Sequence, residues 1–198
     1  MQLRALYVAA ALAACPALCG SAIAADYSRG TAAPYAPWLA GWFGPYAGLA
    51  AGYSWGETST VETNGAFGGA FGGYNFALGA NTYWGIEADV LAGNMSGTNT
   101  HGVAGKIPWL GSLNGRIGYF VGDTSFYILG GFAFGSAEEA GISNSLTGWD
   151  IGLGGEQRIT GNIFGRAEYR YTDIGSNAVS GPTRAVSNSV TGGIGMHF

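Results

Sequence analysis

Arg166, Glu168 and Arg170 stand on every second residue of N-I-F-G-R-A-E-Y-R-Y-T-D-I-G, residues 162–175. Side chains with that spacing share one face of a β-strand. Guanidinium and carboxylate groups alternating on one face can pair in a confined space, line a charged channel, or simply face water. Glu87 and Asp89 repeat the spacing in Y-W-G-I-E-A-D-V, and Glu156 and Arg158 repeat it in G-G-E-Q-R-I. Arg116 and Asp150 fall on the polar faces of two further alternating segments. Catalysis of the acid–base or nucleophilic kind wants a His near a Ser or a carboxylate. His101 lies in a Gly-Thr-Asn loop and His197 beside the terminal Phe198, far apart in the pattern, so no enzyme is expected. Cys15 and Cys19 both lie near the N-terminus, and no cluster suggests a metal or any other cofactor.

These charges need elements to carry them. The 198 residues include 37 Gly, and only 10% are charged, against about 25% charged in ordinary soluble domains. So much Gly disfavours helices, and period-two alternation predicts strands. They are placed near 46–55, 66–76, 83–95, 109–121, 125–135, 148–159, 163–172 and 186–198. Short turns at 77–82, 122–124 and 160–162 alternate with longer loops at 56–65, 96–108, 136–147 and 173–185. That rhythm predicts an all-β, eight-stranded antiparallel up-and-down transmembrane β-barrel over residues 45–198.

The orientation of the faces follows from the charges. A soluble barrel would turn the apolar face inward and the charges to water. The polar faces instead carry nearly matched sets, Glu87, Asp89, Asp150, Glu156 and Glu168 against Arg116, Arg158, Arg166 and Arg170, a net of 4 − 5 = −1. Pairing of this kind suits a narrow interior where a buried charge needs a partner. Aromatic residues end the apolar faces: Trp55, Trp109, Trp149 and Tyr171 towards the long loops, and Phe76, Trp84, Tyr119, Phe126 and Phe198 towards the short turns. Two such girdles suit the interfaces of a membrane. The charge cluster is therefore expected in the lumen, as a plug of ion pairs or, alternatively, as the constriction of a narrow passive pore for ions and small solutes.

Arg4, the apolar run from Ala5 to Ala14 and Ala22-Ile23-Ala24 read as a signal peptide over residues 1–24, cleaved after Ala24. Leu12-Ala13-Ala14-Cys15 also resembles a lipobox, which would acylate Cys15 instead. Residues 25–44, with Pro34 and Pro37, read as a linker on the periplasmic side. Glu57, Glu62, Glu138, Glu139 and Asp173 outnumber Lys106 and Arg184 in the loops, leaving no basic footprint for nucleic acid.

G-G-Y-N (72–75), Y-W-G-I-E-A-D (83–89), W-L-G-S-L-N-G-R-I-G-Y (109–119), Y-I-L-G-G-F-A-F-G (127–135), A-E-Y-R-Y-T-D-I-G (167–175) and Phe198 together resemble the small opacity-like surface barrels of alphaproteobacteria. These are porin-family outer-membrane proteins, with the transmembrane domain of OmpA more distantly similar. The resemblance runs from about Trp42 to Phe198 and implies an outer-membrane location with lipid around the barrel. It also implies that the barrel assembly machinery reads Phe198. Pro45 departs from the family's unbroken aromatic-glycine start, and the modest loops weaken any transfer of loop-borne activity. Haem binding by surface loops, with His101 as the ligand, is a lesser alternative that the resemblance brings.

Overall fold

The computed structural model describes residues 37–58, 61–98, 104–139, 142–178 and 181–198. The expected export signal, Cys15, Ala24 and His101 lie outside them. Eight strands follow one another: β1 (Gly44–Thr58), β2 (Val61–Ala77), β3 (Thr82–Thr98), β4 (Ala104–Val121), β5 (Thr124–Glu139), β6 (Ile142–Thr160), β7 (Ile163–Ala178) and β8 (Gly181–His197). Each pairs antiparallel with the next, and β8 returns to β1, closing the barrel. Closure leaves no strand edge unpaired.

The strands run further towards the long-loop end than the sequence pattern indicated. β6 begins at Ile142 rather than near 148, and β7 continues to Ala178 rather than 172. The residues concerned are Ser-, Asn-, Thr- and Gly-rich, and their ladder bonds come from cross-strand neighbours rather than from any local preference. Two of the short turns carry Gly122 at φ 58° and Gly161 at φ 50°, the left-handed backbone that tight hairpins require. Pro45 sits inside β1, opposite Tyr74, and its carbonyl accepts the Phe198 N–H at 3.0 Å, joining the two ends of the barrel sheet.

Alternation is strict. Leu49, Leu113, Ile128, Phe132 and Leu153 point outward, Phe132 being 70% exposed, while Glu87, Asn114, Arg116 and Glu156 point inward at 3% exposure or less. An apolar belt of that extent does not persist in water, and it suits hydrocarbon. Of the aromatic residues expected in two rings, Trp55, Trp84, Trp109, Tyr119, Phe126, Trp149 and Phe198 are exposed on the outside. Phe76 is half-buried because it stacks on Trp84 at 4.3 Å, and Tyr171 because it packs on Trp149 at 5.5 Å. The strands continue well past the Trp109–Trp149–Tyr171 level, by roughly 15–20 Å at about 3.3 Å per residue.

The segment read as a linker is not loose at its C-terminal end. Pro37–Trp42 forms a 3-10 helix, and Leu39 and Trp42 are fully buried against the barrel's short-turn mouth. Trp42 packs on Phe120 at 5.3 Å and on His197 at 5.3 Å, and its carbonyl accepts Asn75 Nδ2–H at 3.1 Å.

Glycine has a definite use inside. Tyr46 is paired directly across the ladder with Gly73, Tyr83 with Gly118, Tyr127 with Gly154, and Phe164 with Gly195. A Cβ at any of these glycines would collide with the opposing ring. Each inward aromatic therefore lies flat over the bare backbone of its neighbour, which lets a narrow barrel hold large side chains. Gly118→Ala is expected to lower the urea unfolding midpoint of the liposome-inserted barrel, through a loss of about 1–3 kcal/mol in unfolding free energy. Gly115→Ala, on the outer face with only the Gly130 carbonyl near at 3.9 Å, should leave that midpoint close to wild type.

Candidate functional site

The lumen is filled in layers, each positioned by the inward residues of several strands. Nearest the short turns lies an aromatic floor of Trp42, Tyr46, Phe71, Tyr83, Phe120, Tyr127 and Phe164, with Leu39 and Leu129. His197 is buried among these rings.

Above it Glu87, Arg116, Glu156 and Arg166, from β3, β4, β6 and β7, form a four-cornered charge network. Arg166 donates to both oxygens of Glu87, at 2.9 and 2.6 Å, and to Glu156 Oε1 at 2.6 Å. Arg116 donates to both oxygens of Glu156, at 3.0 and 2.8 Å, and to Glu87 Oε2 at 2.9 Å. Each carboxylate thus receives both arginines, and the square is formally neutral. Planar guanidinium forks match carboxylates in this bidentate manner. The floor completes the shell: Tyr46 donates to Glu87 at 2.6 Å, Arg116 donates to the Tyr83 oxygen at 2.7 Å, and Arg166 lies 3.9 Å over the Phe71 ring.

The next layer centres on Arg170. Its Nη1 donates to Asp89 Oδ2 at 2.7 Å, Asp150 Oδ2 at 3.1 Å and Ser112 Oγ at 2.9 Å, while Nη2 donates to Glu168 Oε1 at 2.7 Å. Tyr127 ties the two layers by donating to Glu168 Oε2 at 2.7 Å. Towards the long loops the lumen turns apolar again, with Phe67, Leu91, Ala133, Leu146, Ile174 and Ala185 buried together and Leu110 packed against them.

Eight of the nine charges expected in the lumen are in these two layers. Arg158 is not. It lies at the short-turn mouth, 5.0 Å over the Trp42 ring and 4.0 Å from the exposed Asp123. Its ladder partner is Phe164 of the aromatic floor, so it stands at the short-turn end rather than in the charge layers. The interior balance is therefore 3 − 5 = −2 rather than −1, counting Arg116, Arg166 and Arg170 against Glu87, Asp89, Asp150, Glu156 and Glu168.

Of the aromatic floor the sequence placed Tyr127 in the interior and Phe71 as a further candidate; the rest of that layer, the Phe67–Leu146 layer, Asn114 and Ser112 as bridging groups and Trp42 as a stopper were missed. The inward aromatic-glycine pairs were the available signal for the floor. At the outer aromatic level, across the ladder from Trp149, Asp173 accepts from Arg184 Nε at 2.9 Å and Nη2 at 2.5 Å. Among the described residues no group of three or more His, Cys, Asp or Glu has a geometry suited to a metal, and the buried His197 has no polar partner with which to do acid–base chemistry.

Arg166→Met leaves Glu87 and Glu156 under-paired in a dry layer, where loss of one partner costs roughly 3–5 kcal/mol. Arg158→Met removes a long, partly exposed contact with Asp123 and the stacking over Trp42, each worth about 1 kcal/mol or less. Equilibrium urea unfolding in liposomes should separate the two variants by at least about 1 kcal/mol.

The family model described as outer membrane protein β-barrel domain matches residues 10–198. A 22 kDa outer membrane protein of Rhizobium leguminosarum bv. viciae is 35% identical over 167 residues, covering 79% of this chain and 78% of that protein. A 25 kDa outer-membrane immunogenic protein of Brucella abortus is 33% identical over 148 residues, covering 68% of this chain and 67% of its own. Among solved structures, Neisserial surface protein A superposes with a TM-score of 0.55 at 17% identity, over 78% of this chain and 97% of that one, a likeness of fold alone.

Proposed function

The chain belongs to the outer membrane protein β-barrel domain family, and we propose that it is a surface-exposed structural barrel of the envelope whose lumen is plugged. One observation carries the reading. From the Trp42 stopper through the Glu87–Arg116–Glu156–Arg166 square and the Arg170 cluster to the Phe67–Leu146 layer, the interior is filled by side chains. Two cavities beside Arg170 measure about 20 Å³ each, room for about one water apiece. Ions cross a pore only along a continuous wet path, and paired charges between two apolar layers do not supply one.

The outward-facing half supports a surface role. The strands carry their hairpins well past the outer aromatics, and the Brucella relatives are named as immunogenic outer-membrane proteins. The reading includes export through a signal cleaved after Ala24, and recognition of the terminal strand by the assembly machinery. In that strand Val190, Ile194, Met196 and the exposed Phe198 form an apolar edge suited to β-augmentation.

Planar-bilayer recording tests this directly. The refolded mature barrel, with insertion verified by protease protection, should give no discrete current steps. Arg116→Ala, which unties two corners of the square, should introduce leak. Steps from the wild-type barrel that change with Arg166→Ala would sink the plug and establish the narrow pore.

A further inference from the structure

The outer face of the barrel is not uniform. Two consecutive cross-strand rows run side by side over it. In one, Trp84, Ile117, Ile128, Leu153 and Tyr169 are successive ladder partners from β3 to β7. In the other the partners are Ile86, Gly115, Gly130, Ile151 and Tyr171. The two adjacent glycines leave a gap among these side chains, and the resulting groove measures about 670 Å³. No ring covers them, unlike the glycines of the lumen. A Cβ on Gly115 would meet nothing nearer than the Gly130 carbonyl at 3.9 Å, and one on Gly130 nothing nearer than the Asp150 carbonyl at 3.3 Å. Glycine weakens a strand interior, and where the wall's own packing does not call for it, the use that remains is a close approach from outside.

The groove has a direction. Trp84 is the third residue of β3 from the short turn and Tyr169 the seventh of β7, so the rows climb the tilted wall towards the long-loop end. Beyond Tyr171 the second row continues through Asn188, Trp55 and Asn64, at the outer aromatic level. There its chemistry changes from apolar to polar. Tyr169, a wall of the groove, donates to Asn188 Oδ1 at 2.6 Å, and Tyr53 donates to Asn64 Oδ1 at 3.0 Å. Trp55, 42% exposed, is the ladder partner of both asparagines. With the amide oxygens turned to the tyrosines, the amide nitrogens remain as donors on either side of the indole. In the next row Glu57 and Glu62 face one another, both exposed.

We propose that this face binds one lipid with a saccharide headgroup, an acyl chain lying in the groove over Gly115 and Gly130 and the first sugar against Trp55. The groove lies in the apolar belt and ends at the aromatic girdle, so its occupant is apolar along most of its length and polar at one end. An indole offers a flat apolar face to the C–H side of a sugar ring. Asn64 and Asn188 supply donors, Glu57 and Glu62 supply acceptors, and sugar hydroxyls use both. A phosphate headgroup fits worse. Glu57 and Glu62 repel it, and Arg184 is already held by Asp173. The site lies wholly outside the lumen and does not depend on the lumen being plugged.

The test counts lipids on the refolded barrel. It is inserted in phosphatidylcholine vesicles containing equal small fractions of digalactosyldiacylglycerol and phosphatidylglycerol, then extracted for native mass spectrometry. One digalactosyl lipid should be retained per chain. Gly115→Leu, which fills the groove, and Asn188→Ala, which removes a headgroup donor, should each reduce that retention about tenfold. Trp109→Ala, at the same aromatic level but off the groove, should leave it unchanged. Heat-modifiable electrophoretic mobility verifies that each variant is folded, and the surface substitution Asn188→Ala keeps the test independent of whether Gly115→Leu folds. Equal retention of the two guest lipids would overturn the proposal by removing the sugar from it. Retention that survives both Gly115→Leu and Asn188→Ala, or that falls equally in Trp109→Ala, would overturn it by showing only the general affinity of an aromatic girdle. A barrel that retains no guest lipid would overturn it outright.

Discussion

A closed eight-stranded barrel has an interior only wide enough for the side chains of its own wall. Every charge that points inward must therefore find its counter-charge within the same wall. Arg166 on β7 reaches Glu87 on β3 and Glu156 on β6, and Arg116 on β4 reaches the same two acids. Arg166–Glu156 and Arg116–Glu87 join adjacent strands, whereas the Arg166–Glu87 and Arg116–Glu156 bonds span strands that are not neighbours. They hold opposite walls at a set separation, so the register of each strand is coupled to the charge pattern of strands it does not touch. A slip of one residue in β7 would turn Arg166, Glu168 and Arg170 outward, into the apolar belt.

The same narrowness explains the composition. Large aromatic side chains can enter the lumen only where the neighbouring strand gives up its own side chain. Tyr46 over Gly73, Tyr83 over Gly118 and Tyr127 over Gly154 meet that condition. Their hydroxyls then reach up into the charge layers, to Glu87, Arg116 and Glu168. Glycine content, aromatic floor and salt-bridge geometry are thus one arrangement seen at different scales. It ends in Trp42, which closes the short-turn mouth from outside the barrel sheet.

For function, the division of labour is between inside and outside. The inside spends its chemistry on cohesion, with apolar layers above and below the ion pairs and room beside Arg170 for little more than single waters. The outside offers lipid an apolar belt and carries long hairpins beyond it. The relatives that share the family are named as outer membrane and outer-membrane immunogenic proteins.

Local pattern alone carried much of this. Period-two alternation in stretches such as 163–172 or 109–121 marks strands, and the placement of every mid-strand charge on one face separates lumen from lipid. Those features are visible because a strand's two faces differ by one residue along the chain. Pro37–Trp42 gave no such sign, since a 3-10 turn with two buried residues has no period, and its burial depends on Phe120, Phe164 and His197 arriving from three strands. The inward face of Arg158 was legible, but not its height: it pairs with Phe164 at the short-turn end, where its guanidinium lies over the Trp42 ring. The extra reach of β6 and β7 was likewise hidden, because polar Ser- and Asn-rich residues become strand only when a neighbour offers them a ladder. The sequence by itself determined the barrel, its inside and its outside. Only the tertiary structure decided which charges meet, that the Arg170 layer is left two charges short, and how the apolar and charged layers stack, because those depend on the distance across the barrel rather than on anything along the chain.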